Sequence, residues 1–206
     1  MTTAAIQLRQ VQLVRKAALT AAVMVLLAMF AFTRATGVGA LSQGVVERIG
    51  QWLIVVCIVG RAWCSLYIGG RKIRDLVRTG PYSLCRNPLY TLSILGAAGA
   101  AGQSGSLVMA LAGGFITWLV FRVVVAREEG VLATVHGPAF LHYRDSTPRF
   151  FPNFAGWRGA EVLEVRPKLI ETTLLDGLLF LLFIPVAHGL AHLAATGWTP
   201  VLFNLP

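Results

Sequence analysis

The sequence is poor in charge, and poorest in acid. Asp and Glu number nine against eighteen Lys and Arg, and charged residues fill only 13% of 206 positions. A soluble domain carries about twice that share, so a soluble globule is excluded. Three cysteines, Cys57, Cys64 and Cys85, form no even set for a disulfide framework. No internal repeat is visible, which excludes a solenoid. What is abundant is apolar: 56% of the residues are hydrophobic. This balance predicts an all-α fold, a polytopic membrane helix bundle of about five transmembrane helices.

The apolar runs lie at 17–32, 49–68, 88–105, 107–126 and 174–195. Arg9, Arg15 and Lys16 precede the first run and place the N-terminus in the cytoplasm. A cleaved signal peptide is the other reading of this start, but Arg34 stands where cleavage requires small neutral residues. Arg61 falls inside the second run and is expected to snorkel toward the interface near Tyr67. Pro185 in the last run is tolerated with a kink. The chain divides into a two-helix region (1–68), a polar and hairpin region (69–171) and a final helix with its tail (172–206). The setting expected is a bacterial inner membrane.

Arg71, Lys72, Arg74, Arg78 and Arg86 stand against the single acid Asp75, the strongest positive-inside signal in the chain. Ile73, Leu76 and Val77 make a helical stripe, which predicts a helix lying on the membrane surface. The net charge of +9 is gathered beside apolar runs, so anionic lipid headgroups are the expected partner and nucleic acid is not. The third run holds Gly96, Ala97, Ala98, Gly99, Ala100, Ala101 and Gly102. Such a surface suits close packing against neighbouring helices or against a second copy in a homo-oligomer.

Residues 80–90 read GPYSLCRNPLY. Two prolines break any helix through this stretch, and Asn87-Pro88 predicts a helix start with Asn87 as its N-cap. The turn around 103–106 is short, so the third and fourth runs form a hairpin. That topology brings Arg86 and Asn87 beside Glu128 and Glu129. Cations, helix N–H groups, paired carboxylates and the rings of Tyr82, Tyr90, Phe140 and Tyr143 would then meet at a membrane surface. The mix suits a zwitterionic ligand carrying an aromatic base. The plainer reading is a solvated acidic pair satisfied by Arg122 or Arg127. Cys85 beside Arg86 also admits an activated thiol. His188 and His192, spaced i, i+4, are too few for a metal site, and no metal is expected.

The blocks GPYSLCRNPLY, REEGVL and HGPAFLHYRDSTPRFFP together resemble the isoprenylcysteine carboxyl methyltransferase family and the related phospholipid N-methyltransferases. The family pattern is G-P-Y-x-x-x-R-H-P-x-Y, then E-E-x-x-L, then G-x-x-Y-x-x-Y and R-x-x-P. The resemblance spans residues 76–152. It implies an integral membrane enzyme using S-adenosylmethionine, with a cofactor site on the cytoplasmic side. Carried over by position, it implies cofactor binding by Tyr82, Arg86, Asn87, Pro88, Tyr90, Glu128 and Glu129. It implies catalytic roles for Glu129, Tyr143 and Arg149. The acceptor implied is a membrane lipid or a prenylated or otherwise amphipathic molecule. Asn87 stands where the family has His, and Phe140 where it has Tyr. Asn cannot take up a proton near neutral pH, so acid–base chemistry is not expected there. The alternatives are an NADPH-dependent membrane reductase of the sterol reductase type and a non-enzymatic membrane subunit.

Overall fold

The computed structural model describes residues 40–68 and 75–196, the stretches 33–35 and 203–205, and Thr20, Met24 and Ala28. The first apolar run, those three residues apart, lies outside the described residues, as do Arg71, Lys72, Ile73 and Arg74. The described chain is helical apart from one three-residue parallel pairing, Thr33–Ala35 against Phe203–Leu205.

The helices are α1 (Ala40–Ile68), the single turn α2 (Pro81–Leu84), α3 (Pro88–Gly102), α4 (Leu107–His136), α5 (Pro138–Ser146), α6 (Pro167–Leu178) and α7 (Phe183–Ala195). Among the described residues three stretches are long and apolar enough to cross a membrane: Gln43–Ile68, Leu107–His136 and Pro167–Leu190. The third run becomes only α3, 15 residues or about 22 Å, because Pro88 starts it and the turn after Gly102 ends it. Leu76 and Val77 are not helical, so the surface helix predicted there is absent from the described part of that segment.

The middle of the bundle is a layer of three helices, with α3 packed between α1 and α4. The α1–α3 crossing is close because both helices offer glycine. A Cβ on Gly99 would stand 2.5 Å from the Gly50 carbonyl oxygen, and one on Gly50 would stand 2.6 Å from the Gly99 oxygen. The small residues read from the third run therefore pack within the chain. Gln103 closes the hairpin, its Nε2 donating to the Glu47 and Gly99 carbonyls at 3.1 Å each. Ser106 caps α4, its side chain accepting from the Met109 amide.

One side of this layer is covered by the C-terminal helices. Gly177 of α6 meets Ile58, and Phe180 fits against Gly96. Between α6 and α7 the chain tightens into a 3-10 turn at Leu179–Leu182. Pro185 lacks an N–H and crowds the carbonyl four residues back, which accounts for the change at this point. The fourth run extends ten residues beyond its predicted end at 126, to His136. Gly137 stops it, at φ 53°, and Pro138 starts α5 directly. The acidic pair predicted at the helix end thus sits inside α4.

Candidate functional site: a carboxylate held by two arginines

Glu128 and Glu129 lie about 33 Å along α4 from Leu107, so the helix carries them past an apolar core of about 30 Å. Both are buried. The Glu129 carboxylate accepts from Arg86 Nε at 3.0 Å, Arg149 Nε at 3.0 Å, Arg149 Nη2 at 2.7 Å and Asn87 Nδ2 at 3.1 Å. Charge-assisted, forked contacts of this kind are the strong ones. Arg86 is as buried as its partner, whereas the Arg149 side chain is 40% exposed. Glu128 accepts from the Tyr90 hydroxyl at 2.8 Å. Arg122, a predicted partner for the pair, instead lies over the Trp118 ring at 5.5 Å.

Asn87 precedes α3 as predicted, but its side chain does not cap the helix. Its Nδ2 is spent on Glu129 and, at 3.3 Å, on the Arg149 carbonyl. A charged acceptor within reach outcompetes a cap worth about 1 kcal/mol.

The segment after α5 runs back along the α2 turn and is stitched to it. The Arg86 amide donates to the Pro148 carbonyl at 2.8 Å, the Asn153 amide to Leu84 at 2.9 Å, and the Gly80 amide to Arg158 at 2.7 Å. Arg86 Nη1 donates to the carbonyls of Arg144 and Thr147. The Thr91 hydroxyl donates to the Phe150 carbonyl at 2.9 Å. Phe150 then packs with Tyr90, Phe121, Val124 and Val125, anchoring this strap in the core. Gly80 is required here: its φ is 59°, and a Cβ would strike the Tyr67 ring at 2.2 Å.

Tyr143 projects from α5, and its hydroxyl donates to the Tyr82 carbonyl at 2.5 Å. Burial pushes the Tyr143 phenol above its ordinary value, with a smaller push from Cys85 and an opposing pull from Arg86. Burial likewise raises Tyr82, whose own hydroxyl is buried and has no hydrogen-bond partner among the described residues. The Cys85 thiol is also pushed up by burial, against the weaker pull of Thr91 and Arg86. An activated thiolate is not what this environment favours. Phe140 is fully buried with its ring 6.4 Å from that of Tyr143. A phenyl ring fits that apolar position without a hydroxyl to satisfy.

The fold therefore gathers Tyr82, Arg86, Asn87, Pro88, Tyr90, Glu128, Glu129, Tyr143 and Arg149 into one place. Sequence reasoning missed the carbonyls of Arg144, Thr147 and Pro148, which hold Arg86; backbone acceptors leave no signal in residue type. It also missed Thr91, although a hydroxyl inside a Gly/Ala-rich apolar helix was a usable signal.

The arginine-clamped glutamate is built from the three sequence blocks that resemble the isoprenylcysteine carboxyl and phospholipid methyltransferases. The phospholipid methyltransferase family matches residues 49–139, and the chain belongs to it. It is similar to the nickel-cobalt-cadmium resistance protein NccN of Alcaligenes xylosoxydans xylosoxydans, with 32% identity over 158 residues, 77% of this chain and 74% of that protein. It is also similar to the cobalt-zinc-cadmium resistance protein CzcN of Cupriavidus metallidurans, with 36% identity over 133 residues, 65% of this chain and 61% of that protein. No solved structure matches the chain.

Proposed function

We propose that the chain is an S-adenosylmethionine-dependent methyltransferase of the cytoplasmic membrane face, acting on a lipid or lipid-like acceptor. The observation that carries this is the convergence of all three family blocks on the Glu129 clamp. Formal charge supports the choice of cofactor. Arg86 and Arg149 balance Glu128 and Glu129, so the cluster is close to neutral. A sulfonium-bearing zwitterion fits such a site, whereas the phosphates of NADPH would need a net positive one. The buried Tyr82 hydroxyl adds a donor and acceptor for a ligand's polar end. When bound, the cofactor supplies a methyl group activated on positive sulfur.

Within this reading Glu129 and Tyr143 position rather than abstract protons. A carboxylate facing two guanidiniums is a poor base, and a buried phenol bonded to a carbonyl stays protonated. Arg149, half out of the cluster, is the residue free to meet an acceptor. An acceptor already nucleophilic at neutral pH, such as a carboxylate, suits this arrangement better than a protonated amine. Apolar grooves of about 800 and 510 Å³ flank α3 below the strap, and both touch Thr91, Leu95 and Pro152. They suit the tail of a membrane-held acceptor.

The names of the two relatives bring a second element to the proposal: the modified membrane component serves tolerance of nickel, cobalt, zinc or cadmium. The test is calorimetry with S-adenosylmethionine, followed by transfer of labelled methyl to extracted lipid. Binding by the wild type, lost in Glu129→Ala, is expected. Absence of wild-type binding refutes the cofactor assignment, and binding without transfer to any lipid leaves the non-enzymatic subunit.

A further inference from the structure

Arg61 is a cation that the clamp does not use. It lies in the span Gln43–Ile68, about 10 Å before its end. Among the described residues it pairs with no carboxylate. Its Nη1 donates to Ser93 Oγ of α3 at 2.5 Å, and Ser93 passes its own proton to the Leu89 carbonyl at 2.8 Å. Its Nε is buried without a hydrogen-bond partner among the described residues.

The surroundings are polar but uncharged. On the same stretch of α1, Cys57 and Cys64 are fully buried, and Cys57 lies against Gly96 of α3. A seam between α1 and α3 thus holds the Arg61 guanidinium, the Ser93 hydroxyl and the Cys57 thiol, with no carboxylate paired to the charge among the described residues. Simple snorkelling does not explain an Nε turned into the protein and a hydroxyl spent on Nη1. An unbalanced charge in a membrane span is costly and marks a site that meets an anion. Close by, Trp63 stacks on Trp157 at 5.7 Å and meets Tyr67 edge-on at 6.3 Å, the kind of aromatic cluster that sits at headgroup level.

We infer that Arg61 and Ser93 anchor the acidic group, phosphate or carboxylate, of an amphipath lying against α1 at this depth. The site is separate from the Glu129 clamp and does not depend on methyl transfer.

Thermal unfolding of the full chain in neutral detergent tests it, with phosphatidylglycerol, oleate, inorganic phosphate and uncharged diacylglycerol added separately. Phosphatidylglycerol is expected to raise the wild-type Tm by roughly 5 °C at high occupancy. In Arg61→Gln and in Ser93→Ala the shift should fall to that of diacylglycerol, while Arg61→Lys keeps part of it. Oleate matching phosphatidylglycerol assigns the anchor to carboxylates, and inorganic phosphate matching it assigns the anchor to a free anion. The inference fails if Arg61→Gln responds like wild type, or if diacylglycerol serves as well as phosphatidylglycerol. Should Arg61→Gln not fold, Ser93→Ala decides by the same two outcomes.

Discussion

Helix α3 is held at its two ends by opposite means. At its start, Asn87 and the neighbouring Arg86 reach across to Glu129, and Thr91 ties it to the strap. At its far end Gly99 lies against Gly50, and close backbone approach holds the helix, with Gln103 bonded to the Glu47 carbonyl beside it. The first kind of hold fixes direction, because forked charged contacts tolerate little displacement. The second permits approach without specifying chemistry, so it serves scaffold rather than site.

Removing the charge at the first end should have the largest effect. Glu129→Ala leaves Arg86 buried without its carboxylate, and a loss of about 3–5 kcal/mol is expected. It should appear as a large fall in Tm in detergent together with loss of S-adenosylmethionine binding. A variant that stayed stable would show that the backbone stitches alone hold the strap.

Adding one methyl group at the second end comes next. Gly99→Ala places a Cβ against backbone and should cost about 3 kcal/mol, the upper part of the overpacking range. If the scaffold and the site are as distinct as their chemistry, a folded Gly99→Ala protein binds cofactor with wild-type affinity. Weakened binding at unchanged Tm would erase the distinction.

Tyr143→Phe removes the donor to the Tyr82 carbonyl and should cost about 1–2 kcal/mol at neutral pH. It should also change the alkaline limb of a stability profile. The folded phenols of Tyr82 and Tyr143 lie above their unfolded value of about 10. Their burial is therefore fully stabilising below that pH and is lost as pH rises toward the folded values. The variant should lose less stability than wild type between about pH 10 and 12. An unchanged limb would mean that Tyr143 does not contribute to it.

The smallest effect is expected at Asn87. Asn87→Ala removes one donor from a carboxylate with two other partners and should cost about 1 kcal/mol. Asn87→His should make cofactor binding depend on pH near 6–7, where the wild type is flat. A titrating wild type would place the proton on another group.

Much of this was legible in the chain. The hairpin followed from a short turn between two apolar runs, and it sufficed to bring Arg86 and Asn87 to Glu128 and Glu129. The Asn87-Pro88 helix start and the 3-10 turn ahead of Pro185 are consistent with proline's missing N–H. Other features were not legible. Asn87 looked like a cap because capping is local, but the acceptor it uses lies 42 positions away. The acidic pair looked terminal because charge usually ends an apolar helix. Here its partners come from three separate segments, and Gly137 sets the true end.

The sequence by itself determined the membrane bundle, its hairpin and the residue types of the site, because hydropathy, proline and glycine act over a few residues. Only the tertiary structure decided how charge was shared. Glu129 drew two arginines while Arg61 drew none. Whether a buried charge is matched depends on which backbones approach, and no stretch of the chain contains that information.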